Sequence, residues 1–282
     1  MNSCLRSEVF RCRPLLGTFV EIKAAGLDHN ALLCAVEKAF ARIERVQSLM
    51  SVHDSNSELS RVNAEAFLRA VEVSNETFTL LERGLEIARS SDGAFDFTIA
   101  PVLARWGLLP STLRRRAQGG WRDVVLQRGN RVRFARPLAI DLGGIAKGFA
   151  VDTAIVSLRA STVTFASVNA GGDLRVFGPN LSCIHLRHPV SGQTLSKPIV
   201  LHNASLATSS PCFTRQQWRG RAISHLVNPR NRRAITAGVS VSVRTSECWL
   251  ADALTKVVLN ANTATATRLL ESHHAEALIV SA

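Results

Sequence analysis

The residues able to do chemistry fall in a few short segments. The densest runs Ala139-Ile140-Asp141-Leu142-Gly143-Gly144-Ile145-Ala146-Lys147-Gly148-Phe149-Ala150-Val151-Asp152. A strand ends at Asp141, two glycines permit a tight turn, and a helix begins. Backbone N–H groups at a helix start attract anions, and glycines let a phosphate come close. Lys147 sits in the first helical turn, placed to meet that phosphate. The run is neither a GxxxxGK[ST] loop nor a GxGxxG fingerprint. A plain strand–turn–helix corner with packing glycines explains it equally well. In Thr245–Lys256, Asp252, Thr255 and Lys256 share one helix face. A carboxylate and a hydroxyl there suit Mg²⁺, which prefers oxygen; an Asp252–Lys256 surface ion pair is the plainer reading.

Further segments say less by themselves. In Gly93-Ala94-Phe95-Asp96-Phe97-Thr98, Phe95 offers a π-face and Asp96 an acceptor. Taken alone, Asp96 reads as the cap of a short helix. Asn169-Ala170-Gly171-Gly172-Asp173 reads by default as a hairpin. His225 lies in Ser224-His225-Leu226-Val227-Asn228-Pro229. His185 with His188, and the His273-His274 pair, show no full metal-ligand set.

These residues need elements to position them. Alternation predicts a strand over 15–24, and helical spacing predicts helices over 28–49 and 74–89. Short strands follow over 121–141, with Gly129-Asn130 as a hairpin turn. A helix over 145–159 carries Lys147. Strands are expected over 162–176 and 182–201, and a broken strand-rich stretch over 222–243. Helices over 247–260 and 263–272 precede a closing strand at 277–281. Helices interleaved with hairpins, rather than strict βαβ repeats, indicate α+β. The polar residues 1–13 read as a loose N-terminus, and 14–282 as one continuous unit.

Composition bounds the rest. The 282 residues are 46% hydrophobic and 20% charged, which excludes a disordered or collagen-like chain. No apolar run reaches the ~18 residues a membrane span needs. The six cysteines form no CxxC, so a zinc site and a disulfide framework are both unexpected; buried, reduced thiols are the expectation. With no apolar leader in the first residues, a cytoplasmic protein is expected. The net charge is +12, and no Asp or Glu stands between Asp173 and Glu247. That excess points to an anionic partner. Nucleic acid is discounted, because no helix-turn-helix, RNP pattern or zinc-finger spacing is present.

Taken together the segments resemble one family. In order they are Pro14-Leu15-Leu16-Gly17-Thr18, Met50-Ser51, Ser57-Glu58-Leu59 with Asn63, GAFDFTIAP, DLGGIAKGFAVD, NAGGDLRVFG, Ala207-Thr208-Ser209, SHLVNP and ADALTK. The chain is similar to the ApbE family of FAD:protein FMN transferases over nearly its whole length, and DLGGIAKGFAVD is the most specific segment.

The resemblance implies an ApbE-like fold of mixed or antiparallel sheets packed with several helices. It implies a Mg²⁺-dependent enzyme that cleaves the FAD pyrophosphate, transfers FMN to a Ser or Thr of a target flavoprotein and releases AMP. It places Met50, Ala94, Phe95, Asp96, Asp141, Lys147 and His225 against FAD. It places the metal at the Gly144 carbonyl, Asp252 and Thr255, and makes His225 and Asp252 the catalytic residues. Acceptors of such enzymes are expected to carry an Asp-x-x-(Ser/Thr)-Gly-Ala-(Ser/Thr)-like segment. An FAD pyrophosphatase giving FMN and AMP, or a non-catalytic FAD-binding protein, are the alternatives. Departures stand at Ser210, where the family has Gly, and at Arg230-Asn231-Arg232-Arg233, where Thr-Gly follows the proline. The family's D-A-L-A-T helix has Thr four residues after Asp; here that residue is Lys256.

Overall fold

The computed structural model describes residues 7–281. Its frame is a seven-stranded sheet of β1 (Glu8–Leu15), β2 (Thr18–Ala25), β3 (Phe165–Ala170), β4 (Asp173–Phe177), β5 (Ser205–Ser209), β6 (Val239–Thr245) and β7 (Glu276–Ser281). Spatial order follows chain order, and every neighbouring pair is antiparallel. The helices are α1 (His29–Met50), α2 (Glu58–Glu65), α3 (Asn75–Ser90), α4 (Ala100–Arg105), α5 (Ala146–Ala160), α6 (Cys248–Asn260) and α7 (Thr263–Ser272). The first five are inserted between β2 and β3, together with a small sheet of Val71–Glu72, Val124–Gln127 and Arg131–Phe134. The class is α+β, as expected. Among the described residues no helix is long and apolar enough to cross a membrane.

The sequence explains the elements. Asp28 caps α1 by accepting from the N–H groups of Asn30 and Ala31. Leu32, Val36, Ala39, Phe40, Ile43 and Val46 recur at helical spacing and are buried. That face packs on α5, which in turn packs on α6 and the sheet. On β4 the side chains alternate. Leu174 and Val176 build a smaller core with Leu186, Leu201 and Leu206, while Arg175 reaches α5.

The expected loose N-terminus is corrected. Residues 8–13 pair with β2 from Glu8↔Ala25 to Arg13↔Val20. As an edge strand, β1 buries only Val9, so its sequence lacks the alternation of an inner strand. Residues 1–6 lie outside the described residues. The strand expected at 15–24 begins instead at Thr18, because Leu16 and Gly17 take positive φ in the hairpin turn. The thiols also differ from expectation. Cys12, Cys34 and Cys183 are exposed and Cys248 is buried; none of the described cysteines is paired.

Helices α5 and α6 cap each other. Glu247, at the start of α6, supplies no side-chain cap. Asp152 of α5 does so, accepting from the N–H of Cys248 at 3.0 Å and of Trp249 at 2.9 Å. In return Asp252 Oδ2 of α6 accepts from the Gly148 N–H in the first turn of α5, at 3.3 Å. The close approach requires Gly148, where a Cβ would stand 2.4 Å from the Cys248 carbonyl oxygen. Arg175 Nη1 completes the joint, 2.6 Å from Asp152 Oδ1.

Asp152→Ala removes both caps and leaves the largely buried Arg175 without its counter-charge. It should destabilise the fold by about 3–5 kcal/mol in urea unfolding. Asp92→Ala, which breaks only exposed pairs with Arg122 and Arg230, should cost less than about 1 kcal/mol. Equal losses would contradict the joint's importance.

Candidate functional site

A cleft of about 420 Å³ opens where the segments of the sequence analysis meet. That volume lies in the usual range for ligand sites. Ala94, Phe95 and Asp96 line it from the loop after α3. Asp141, Gly143, Gly144 and Lys147 line it from the turn into α5. Thr208, Ser209 and Ser210, at the end of β5, lie with His225 and Lys256 on its remaining wall. A hollow of similar volume lined by Arg89, Trp121 and Arg122 collects no comparable set of polar groups.

The loops are held from behind. Buried Asn63 donates to the Ile140 carbonyl at 2.9 Å and accepts from its N–H at 2.8 Å, fixing the residue before Asp141. Asp141 accepts from the Gly143 N–H at 3.2 Å. Neither Gly143 nor Gly144 has a positive φ, so these glycines serve space rather than backbone handedness. Asp96 caps the turn after it, accepting from the Thr98 N–H at 2.8 Å and its hydroxyl at 2.7 Å. Burial pushes its pKa up against those bonds and the charges of Arg232 and Arg122.

A cluster of charges lies at the lysines. Lys147 Nζ stands 2.6 Å from Asp173 Oδ2 and 3.6 Å from Asp252 Oδ2. The first approach is close but off the hydrogen-bond direction, so Asp173 Oδ2 receives no hydrogen bond. Lys256 Nζ donates to Asp252 Oδ1, and to the Asp252 carbonyl at 3.0 Å. The two carboxylates are buried, whereas both lysines reach the cleft. Burial raises the Asp252 pKa, but Lys147 and Lys256 outweigh it and hold the group below its ordinary value. Burial lowers the Lys147 pKa, and its two aspartates more than reverse this, so the ammonium stays charged. Asp173 is pushed up by burial and by Asp252, against Lys147.

His225 is exposed toward the cleft. Partial desolvation lowers its pKa and the nearby His53 adds to this; Asp141 opposes them. The imidazole is therefore neutral near pH 7.

Of the expected FAD-contacting residues, Ala94, Phe95, Asp96, Asp141, Lys147 and His225 line one cleft. Met50 does not. It ends α1 and is buried in the apolar core. Of the expected metal set of Gly144, Asp252 and Thr255, the two side chains are already engaged. The Thr255 hydroxyl donates to the Asp252 carbonyl at 2.7 Å and shares a 2.7 Å hydrogen bond with Ser209. Both Asp252 oxygens are taken, one by Lys256 and the other by the Gly148 N–H. Among the described residues no group of three or more His, Cys, Asp or Glu could hold a metal. With Asp252 bound to Lys256 and the Gly148 N–H, and Thr255 to Ser209, the side chains as arranged do not offer Mg²⁺ the near-octahedral oxygen ligands it demands.

The sequence alone marks Asp173 only as a turn residue. The signal for its role is alternation: it lies two residues before Arg175, so both face the helices. Nothing in the sequence around Asp152, in the same α5 segment as Lys147, signals that it caps α6.

The ApbE family model matches residues 16–279. The chain belongs to the ApbE family. An FAD:protein FMN transferase of Vibrio cholerae is 26% identical over 262 residues, covering 86% of this chain and 78% of that protein. One from Rhodobacter capsulatus is 29% identical, over 70% of this chain and 40% of that protein. Among solved structures, an ApbE protein of Thermotoga maritima superposes with a TM-score of 0.85 at 26% identity, covering 97% of this chain and 94% of that one. The ApbE flavin transferase of Vibrio cholerae superposes with a TM-score of 0.81 at 25% identity, covering 97% and 93%. Most of the ApbE motifs of the sequence, from GAFD to ADALTK, thus contribute residues to the cleft, whereas Met50 and the Ser57–Asn63 segment do not.

The charge cluster makes a double-mutant prediction. Lys147→Met leaves two buried carboxylates sharing one ammonium and should cost about 3–5 kcal/mol in denaturant unfolding. Adding Asp173→Asn should recover part of that loss. A coupling between the two substitutions near zero would contradict the cluster as described.

Proposed function

We propose that this ApbE-family chain is an FAD:protein FMN transferase. It would move FMN from FAD to a Ser or Thr hydroxyl of a target flavoprotein, form a phosphoester and release AMP. The observation that carries the reading is the convergence, in one cleft, of an aromatic face at Phe95, two lysine ammoniums and a neutral histidine. The names of the Vibrio and Rhodobacter relatives support it.

The chemistry follows from those groups. Lys147 and Lys256 offset the negative charge of the pyrophosphate, which phosphoryl transfer requires. The acceptor oxygen attacks the FMN phosphorus. The bond from that phosphorus to the bridging oxygen breaks, and AMP departs with the electron pair. The hydroxyl proton passes to the His225 imidazole, acting as general base. Phe95 offers a face for an aromatic ring. Asp252 acts through the lysines it orients. The Mg²⁺ implied by the resemblance would have to enter at Asp252, Thr255 and the Gly144 carbonyl, where Lys256 and Ser209 already hold the two side chains.

Incubation with FAD and a peptide carrying the Asp-x-x-(Ser/Thr)-Gly-Ala-(Ser/Thr) segment tests the reading. AMP formation that depends on the peptide, with flavin covalently on it, is the expected result. AMP without acceptor would make the chain an FAD pyrophosphatase. Bound FAD with no AMP under any condition would make it a non-catalytic binder.

The pH profile has a defined sign. A general base must be unprotonated, and the His225 pKa lies below the ordinary histidine value. AMP release should fall only as pH drops through a value below about 6.5, and be flat above neutrality. His225→Asn should remove that acidic limb and slow release by about 10²–10⁴-fold. A rate still climbing between pH 7 and 8, or an unchanged rate in the variant, would exclude His225 as the base.

A further inference from the structure

On the flavin reading, a lysine stands beside Asp252 where the resemblance implies a metal. Lys256 lies between two of the expected metal donors, Asp252 and Gly144. Its Nζ hydrogen-bonds both Asp252 Oδ1 and the Asp252 carbonyl. Its stem passes Gly144, with Cε 3.6 Å from where a Cβ of that residue would stand. Lys256 therefore spans the space between the turn and the carboxylate that were expected to share a cation. The geometry is favourable in its own right, because an acid four residues before a base on a helix pairs well.

Charge points the same way. Asp252 and Asp173 are already balanced by Lys147 and Lys256, which touch them. A divalent ion added beside Asp252 would place two further positive charges against two ammoniums in a mostly buried cluster, where repulsion is weakly screened. Thr255, one residue earlier, cannot stand in for the missing ligand. Its hydroxyl is turned back onto its own helix and onto Ser209.

We propose that Lys256 is a built-in cation: its ammonium takes the position and the charge of a divalent metal at Asp252, so this chain binds the FAD pyrophosphate without one. Lys256 is mostly withdrawn from solvent, its side chain 15% exposed, yet it lines the cleft, so the same ammonium can face a phosphate oxygen on its open side. An ammonium has three donors, and Asp252 does not use them all.

The test measures FAD affinity of the wild-type chain by flavin fluorescence, in EDTA and in Mg²⁺, with AMP release followed separately. Affinity should agree within about twofold between the two buffers. Lys256→Thr should bind FAD about tenfold or more weakly in EDTA and recover on addition of Mg²⁺. Should the threonine variant fail to fold, as judged by circular dichroism, Lys256→Gln serves for the loss in EDTA. The wild-type comparison needs no variant. FAD bound by the wild type only with Mg²⁺ would overturn the built-in cation and leave the flavin reading standing. No FAD bound in either buffer would overturn both. Metal-independent binding without AMP release would uphold the built-in cation and contradict only the transferase reading.

Discussion

The site depends on two helices that cap each other. Asp152 on α5 satisfies the first N–H groups of α6, and Asp252 on α6 satisfies an N–H at the start of α5. Helix ends leave such groups unpaired, and leaving them buried is costly. The exchange fixes axial register and approach at once, because only glycine at 148 lets the helices come so close. Lys147 and Lys256 ride on these two helices. Their separation and direction are therefore set by a joint between carboxylates and backbone, not by the flexible lysine stems.

A second consequence is electrostatic. Two buried aspartates would be expensive alone, and two lysines at the cleft make them tolerable. The same lysines face outward, where an anion can meet them. Structure and chemistry share one set of charges. The wider surplus of +12 is not explained by these pairs. Part of it lies at Arg230 and Arg232. Arg230 stands 3.5 Å from Asp92, and the charge of Arg232 is felt at Asp96, so the departure from the family's Thr-Gly bears on the loop that carries Phe95.

Much of this was legible in the sequence. Long amphipathic helices such as α1 and α3 announce themselves by spacing and caps. DLGGIAKGFAVD and ADALTK named the segments that meet at the cleft. What escaped was what depends on a partner. Strand β1 is an exposed edge whose only buried side chain is Val9, so its sequence carries no alternation to read. Met50 sits at the end of a helix and could as well face a ligand as the core; packing decided for the core. Thr255 and Lys256 are neighbours on one helix, and only the fold shows that the hydroxyl is spent on Asp252 and Ser209 while the ammonium takes the carboxylate.

A crystal structure of the chain with FAD, grown in excess Mg²⁺, tests the central claim most directly. The account predicts the pyrophosphate oxygens within hydrogen-bond reach of the Lys147 and Lys256 ammoniums, Asp252 still bound to Lys256 and to the Gly148 N–H, and no ion between Asp252 and the phosphates. A Mg²⁺ ion ligated by Asp252, with Lys256 swung away from it, would contradict it.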